Sequence, residues 1–280
     1  MPELAEVETV CRVMRRVLVG KRIKRVEVAR DALVFQASAK NIEDALVGRT
    51  VRAVGRRGKT FWLELAGPGP TVYGHLGMTG WIREVGTEGV RLQGHGKAPF
   101  DDENGRPRFL KLWIEVPGGK AIAFTDGRRL GRVWLGPPPD EEPRVQRLGR
   151  DAYEDLPTAR ELSQLVAKRR IPIKALLLGQ DTLAGLGNWL VDEVLYQARI
   201  SPKRPASSLD AREVAALRRA IASVVKKAVD VEADYERFPR SWLFEHRWGG
   251  GRGSQSIGGH RIVREEVGGR TTAWVPAVQK

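Results

Sequence analysis

The segment Gly136-Pro137-Pro138-Pro139-Asp140-Glu141-Glu142-Pro143 constrains what this chain can fold into more than any other stretch. Proline fixes φ and carries no amide hydrogen, so four prolines in eight residues cannot lie inside a helix or a central strand. Residues 137–150 therefore read as a linker. The apolar period changes across it. Before it, apolar and polar residues alternate over 23–28, 51–57, 61–65, 71–76, 81–85, 109–116, 121–125 and 132–135, with glycine- or proline-containing turns between most of them. That pattern predicts antiparallel strands in a sandwich or barrel. Two helices flank it. The first carries Val7, Val10, Cys11, Met14 and Leu18 on one face and stops near Gly20. The second spans 41–46, with Asn41 as its cap.

Beyond the linker the period becomes helical. Thr158 and Glu161 form a capping box that opens a helix. Further helices are predicted over 173–178, from Gly187-Asn188 onward, and from Asp210, with Val214, Leu217, Ile221, Val224 and Val225 on one face. The glycine-rich tail still has Ile262, Val263, Val267, Trp274 and Val275 to pack, which predicts a hairpin over 261–275. The expected fold is a multi-domain α+β protein. Residues 1–136 form a β-rich domain with an antiparallel sandwich or barrel, 137–150 the linker, 151–248 a helical domain, and 249–280 a β-hairpin finger.

Lysine and arginine number 48 against 34 aspartates and glutamates, a net charge of +14. Such a surplus points to a polyanionic partner, nucleic acid or an anionic membrane surface. Neither a signal peptide, an apolar run of membrane length nor a lipidation motif is present, so a soluble intracellular protein is expected. Cys11 is the only cysteine, which excludes an intramolecular disulfide, and its place on the apolar side of the first helix reads as a small core residue.

The chain opens Met1-Pro2-Glu3-Leu4-Ala5-Glu6-Val7-Glu8. Ordinary methionine removal would leave Pro2 as a secondary amine. An α-amino group titrates near 7.7–8.0, so roughly a tenth of it is neutral at pH 7, far more than of a lysine. The neutral amine is the form that attacks a carbonyl-like carbon and forms a Schiff base, and Glu3 stands beside it to give or take a proton. Many chains begin Met-Pro, however, and acidic residues favour the first turn of any helix.

The remaining motifs separate these readings. Pro2-Glu3-Leu4-Ala5-Glu6-Val7-Glu8 resembles the opening of formamidopyrimidine-DNA glycosylases, whose usual form has proline where Ala5 stands. Arg57-Gly58-Lys59, His75-Leu76-Gly77-Met78-Thr79-Gly80, Asp126-Gly127-Arg128-Arg129-Leu130-Gly131 and Ala184-Gly185-Leu186-Gly187-Asn188 follow in the family's order and at about its spacing. Gly268-Gly269-Arg270-Thr271-Thr272 resembles the turn of its C-terminal finger. The resemblance to this family, which also contains endonuclease eight, spans nearly the whole chain.

It implies a bifunctional glycosylase and abasic-site lyase of base excision repair, acting on double-stranded DNA with oxidised bases or abasic sites. Pro2 would attack the sugar C1′, and β- then δ-elimination would cut the strand. By the same resemblance Glu3 would protonate the opening sugar, Glu6 would place water or shuttle protons, Lys59 would contact phosphate and assist elimination, and Arg270 would grip phosphates. His75, Met78, Arg128, Leu130, Arg169 and Asn188 match positions that contact DNA, and Lys168, Arg169, Arg170 and Lys174 form a basic cluster beside the Asn188 turn, where further DNA contact is expected. Met78, Arg128 and Leu130 would fill the gap left by a flipped base, Arg128 also reading the orphaned opposite base. Leu130 stands where phenylalanine is usual, and Phe109 where a DNA-contacting histidine is common. The family's usual finger binds zinc through two Cys-x-x-Cys pairs, but those positions here hold Gln255, Gly258, Val275 and Val278, and His75, His95, His246 and His260 form no spaced ligand set. A zincless finger without metal or other cofactor is expected. The segment 236–253 does not resemble the loop with which the typical enzyme covers 8-oxoguanine, so ring-opened purines or hydantoins are the expected lesions. The alternatives are a preference for oxidised pyrimidines or a non-catalytic damage binder on the same fold. The expected protein is a monomer in the cytoplasm, associated with the nucleoid through DNA.

Overall fold

The computed structural model describes residues 2–87, 89–91, 99–248 and 255–280. Met1, His95 and residues 249–254, where the predicted finger begins, lie outside these. The chain divides into two compact units, Met1–Arg147 and Leu148–Lys280.

In the first unit the elements run α1 (Leu4–Leu18), β1 (Arg25–Val28), α2 (Ala39–Leu46), β2 (Val51–Arg57), β3 (Thr60–Leu65), β4 (Thr71–His75), β5 (Trp81–Glu84), β6 (Leu110–Glu115), β7 (Ala121–Thr125), β8 (Arg132–Gly136) and α3 (Pro143–Gln146). Each of the eight alternating runs forms a strand. All pairings among them are antiparallel, in two four-stranded sheets of order β2-β3-β4-β8 and β1-β6-β7-β5. Phe61, Leu63 and Val72 of one sheet and Ile82, Leu112 and Phe124 of the other line one small apolar space, so the sheets face each other across a shared core. Helix α1 packs against β2 and β5, the edge strands of the two sheets, and covers edges that would otherwise leave backbone groups unpaired. Its apolar stripe is buried, Cys11 included, and Gly20 turns the chain away at φ +77°.

Helix α2 starts two residues before the predicted position. Ser38, not Asn41, caps it: the Ser38 hydroxyl accepts the Asn41 N–H at 3.1 Å. Ala39 and Lys40 are good helix formers, and a serine three residues before a free amide is a preferred cap.

The proline-rich segment also differs from a simple tether. Gly136 ends β8, and Pro143 opens α3, where a missing amide hydrogen costs nothing. The physical cause is an aromatic row on one sheet. Trp62, Tyr73 and Trp134 sit side by side in register, Tyr73 and Trp134 stacked at 5.3 Å, and Val145 of α3 packs on them. Tyr73 Oη donates to the Pro137 carbonyl at 2.7 Å, and Arg144 lies 4.6 Å over the Trp134 ring.

The second unit contains β9 (Arg150–Asp151), α4 (Ala159–Ala167), α5 (Ile173–Leu178), β10 (Leu183–Ala184), α6 (Asn188–Ala198), α7 (Ala211–Asp230), α8 (Leu243–His246), β11 (Ser256–Ile257), β12 (His260–Arg261), β13 (Val263–Val267) and β14 (Arg270–Trp274). The Thr158–Glu161 capping box opens α4, and Asp210 caps α7 with both Arg212 and Glu213 amides. Helix α6 is buried from Trp189 to Leu195, Asp192 and Glu193 included, and packs against α5, α7, α8 and β14 as a central helix. The hairpin β13–β14 pairs Val263 with Trp274 through Val267 with Arg270. Its two turn residues, Gly268 and Gly269, both have positive φ, which the favoured two-residue hairpin turn requires.

A buried ion pair ties α1 to β2. Glu8 is buried and pairs with the fully buried Arg56 of β2 at 2.9 Å, and with Arg15 and Arg12 at 2.6 and 3.5 Å. Glu8→Gln should cost about 3–5 kcal/mol, because it takes the carboxylate from a guanidinium with no access to water. Arg56→Met should cost less, since Arg12 and Arg15 still neutralise Glu8. Urea unfolding of the two variants measures both, and the reverse order would remove the pair as the anchor of α1.

Candidate active site and nucleic-acid interface

At the head of α1, Pro2 is buried, and Glu3 and Glu6 are 2% and 0% exposed. Glu3 is the N-cap, and its backbone N–H donates to Glu6 Oε2 at 3.0 Å in a capping box. Glutamate is not among the favoured N-caps, so capping alone does not account for two buried carboxylates here.

The Arg56 guanidinium that holds Glu8 through Nε also donates through Nη1 to the Gly58 carbonyl at 3.0 Å. The β2–β3 turn, Gly58-Lys59, is thereby tied to the same helix. Gly58 takes φ +59° at the first turn position, which admits glycine freely, and Lys59 follows, half-buried. Thr60 pairs across the sheet with His75. The Gly77 N–H donates to His75 Nδ1 at 3.0 Å, which leaves the ring proton on Nε2. Burial, then the positive charges of Lys59 and Arg132, push the His75 pKa down to about 4, so the ring is neutral at pH 7.

Two loops of the first unit converge on Asp126, whose side chain is buried. Its Oδ1 accepts from the Thr79 hydroxyl at 2.7 Å and the Arg128 N–H at 3.2 Å, and its Oδ2 accepts from the Gly131 N–H at 2.7 Å. The loops touch backbone to backbone: a Cβ on Gly77 would lie 2.3 Å from the Leu130 carbonyl carbon. Their tips present Met78, 40% exposed, Leu130, 37% exposed, and the exposed Arg128. Neither apolar side chain belongs to the core. Arg129, between them, is held at φ +58°, a conformation that costs of order 1–3 kcal/mol outside glycine. Asp31 opposes that strain. It accepts from Arg129 Nε and Nη2 at 2.9 and 3.0 Å and from Lys111 at 2.9 Å. The bonds from Arg129 and Lys111 hold its carboxyl well below the usual carboxylate range.

In the second unit, Asn188 is the first residue of α6, and its Nδ2 donates to the Thr271 carbonyl at 2.9 Å. Its Oδ1 is buried without a hydrogen-bond partner. Lys174 is not a surface contact for DNA, as the basic cluster 168–174 suggested. It is 0% exposed, pairs with Asp192 at 2.6 Å, and reaches the Thr271 carbonyl at 3.4 Å. It falls on the inner face of α5, where only a counter-charge makes a buried ammonium tolerable. Asp192 also accepts from Arg247 at 2.7 Å and from the Ala273 N–H at 3.2 Å. Strand β14 is thus held at Thr271 and Ala273, and Arg270 stands exposed at the end of the Gly268-Gly269 turn. Arg169 is exposed after α4, its carbonyl accepting the Ser207 N–H at 2.9 Å, with Lys168 and Arg170 exposed beside it.

Two family models match the chain: the formamidopyrimidine-DNA glycosylase N-terminal domain over residues 1–133 and the H2TH domain of the same enzymes over 148–239. A formamidopyrimidine-DNA glycosylase of Arabidopsis thaliana is 39% identical over all of this chain and 71% of its own length. One from Pelotomaculum thermopropionicum is 31% identical over all of this chain and 99% of its own. The chain belongs to the formamidopyrimidine-DNA glycosylase family. Among solved structures, the Lactococcus lactis enzyme bound non-covalently to DNA containing an abasic site is 26% identical, covers both chains fully and superposes with a TM-score of 0.78.

Family membership raises the question of a zinc finger, and the residues do not fit one. Val275 is fully buried in an apolar cluster with Leu243, Ile257, Ile262 and Ala273, against which Val278 packs. Gly258 occupies the β11–β12 turn at φ +56°. Among the described residues no group of three histidine, cysteine, aspartate or glutamate side chains could hold a metal, and no helix is long and apolar enough to cross a membrane. Trp274 is buried, its Nε1 donating to Glu265 at 2.8 Å with Lys203 5.0 Å over its ring.

The motif reading missed the carboxylates that organise the loops. Asp126 was legible as part of a motif but not as its hub, and Asp31 and Asp192 carried no signal. Arg56 carried none either, because simple alternation puts it on the face of the exposed Arg52.

Two outcomes follow from this geometry. His75 should titrate near pH 4 by NMR. Since that lies below its ordinary value of 6.5, the stability it contributes is present above 6.5 and lost as pH falls from 6.5 toward 4; a midpoint near 6.5 would mean a solvated ring. Asp192→Asn should cost about 3–5 kcal/mol, because it removes the carboxylate shared by Lys174 and Arg247. Thermal melting and hydrogen exchange of the Thr271 and Ala273 amides would detect it, and an unchanged β14 would contradict the assigned role.

Proposed function

We propose that this protein is a DNA glycosylase of base excision repair that also cleaves at abasic sites, with Pro2 as nucleophile. The observation that carries the reading is the pair of buried carboxylates, Glu3 and Glu6, beside Pro2 at the head of α1, in a chain of this family. With Met1 removed, the Pro2 nitrogen attacks C1′ of the damaged nucleotide. The glycosidic bond breaks, and the base leaves with the electron pair and takes up a proton. Glu3 donates a proton to O4′ as the sugar ring opens, and the nitrogen lone pair forms the iminium. Loss of a proton from C2′ expels the 3′ phosphate, and a second loss, from C4′, expels the 5′ phosphate. Glu6, hydrogen-bonded to the Glu3 amide, holds water or relays protons, while Lys59 and Arg270 hold phosphates. A guanidinium suits bidentate phosphate contact.

Met78, Arg128 and Leu130 are suited to fill the space left by the flipped base; His75, Arg169 and Asn188 are further candidate DNA contacts. Ring-opened or otherwise oxidised purines are the proposed lesions. The enzyme works as a monomer in the cytoplasm, on the nucleoid. Borohydride should trap a covalent adduct at Pro2 on duplexes with an abasic site or a ring-opened purine. An extra residue ahead of Pro2 should abolish it, and Glu3→Gln should slow base release by roughly 10²-fold or more. No adduct on an abasic duplex, with Met1 removed and binding intact, would leave a damage-binding protein instead.

A further inference from the structure

We propose that Phe109 and the cavity beside it form a stacking site for the base left unpaired opposite the lesion. The inference rests on the DNA-repair reading above. Phe109 is 59% exposed, the most exposed of the large apolar side chains among the described residues. Its backbone is held in the left-handed region at φ +58°, a genuine outlier for a bulky residue. Its carbonyl accepts the Asp126 N–H at 3.0 Å, and the β6–β7 register shifts just after it, between Leu110 and Leu112. These contacts turn the ring out of the sheet instead of into the core. A large apolar side chain maintained in solvent at the expense of backbone strain calls for a ligand.

The surroundings indicate which ligand. The ring lies against Gly127, where even a Cβ would come within 3.4 Å, and the Arg108 guanidinium is 5.6 Å from its centroid. A cavity of about 130 Å³ opens beside it, lined by Trp81, Phe100, Arg108, Phe109 and Arg128 among others. Aromatic walls with three arginines, Arg83, Arg108 and Arg128, suit a planar heterocycle rich in hydrogen-bond acceptors. A phosphate would not need the rings, and an aliphatic ligand would not need the arginines. Asp126 fixes Phe109 through its amide and the Met78 and Arg128–Leu130 loops through its carboxylate, and Phe109 and Arg128 line the same cavity. Leu130 offers no aromatic face, and Phe109 supplies one. Stacking on such a ring tolerates any base, since every base has a π-face.

The test pairs a change in the protein with a change in the DNA. Binding of the full chain is measured by fluorescence anisotropy on two duplexes carrying a tetrahydrofuran abasic analogue, one with a base opposite it and one with a second analogue there. Phe109→Asn, which accepts the left-handed backbone without a ring, should weaken binding roughly 10-fold on the first duplex and under about 2-fold on the second. Phe109→Trp should bind both like the parent. Equal losses on both duplexes, or none on either, would overturn the stacking site, and thermal melting of Phe109→Asn identifies a loss caused by unfolding. Failure of the parent protein to prefer either duplex over undamaged DNA would instead bring down the repair reading on which this rests.

Discussion

Glu8 and Arg56 meet at 2.9 Å with almost no access to water, and the packing of α1 in the first unit depends on that contact. A buried guanidinium is stable only while its hydrogen bonds and its charge are both answered. Arg56 meets this with Glu8 on one side and the Gly58 carbonyl on the other. The consequence reaches beyond stability. Helix α1, whose head follows Pro2, and the turn that carries Lys59 are both held by the Arg56 side chain. Precision of that kind suits the roles proposed for Pro2 and Lys59.

The same device recurs wherever this chain presents polar groups on exposed backbone. Asp126 gathers Thr79, Arg128 and Gly131, and Asp31 restrains Arg129 in a left-handed conformation. Short carboxylates accept several donors at once and have little side-chain freedom to lose, which suits them to fixing loops. The loops thus fixed expose Met78, Arg128, Leu130 and Phe109, which an unrestrained loop would tend to fold away from water.

In the second unit, packing and a buried ionic cluster hold the β13–β14 hairpin in place. The apolar cluster around Val275 and Leu243 gives the hairpin a core, and Asp192, with Lys174 and Arg247, holds β14 through its backbone. Arg270, at the end of a two-glycine turn, inherits its position from both. The charge surplus of +14 then resides on side chains such as Arg169 and Arg270 that the fold leaves exposed.

The sequence by itself determined the elements, because strand alternation, helical spacing and capping boxes act over a few residues. The eight strands, the helix over Ile173–Leu178 and the Gly268-Gly269 hairpin are all legible in that way. So were the motifs around Pro2, Lys59 and Asp126. Only the tertiary structure decided which polar residues face inward. Lys174 reads as one member of a basic run until Asp192, eighteen positions away, is seen to bury it. Ser38 displaces Asn41 as a cap, and Phe109 faces solvent just ahead of β6 although the alternation starts a strand there. Burial and ion pairing join residues distant in the chain, and local periodicity carries no record of which distant partner will arrive.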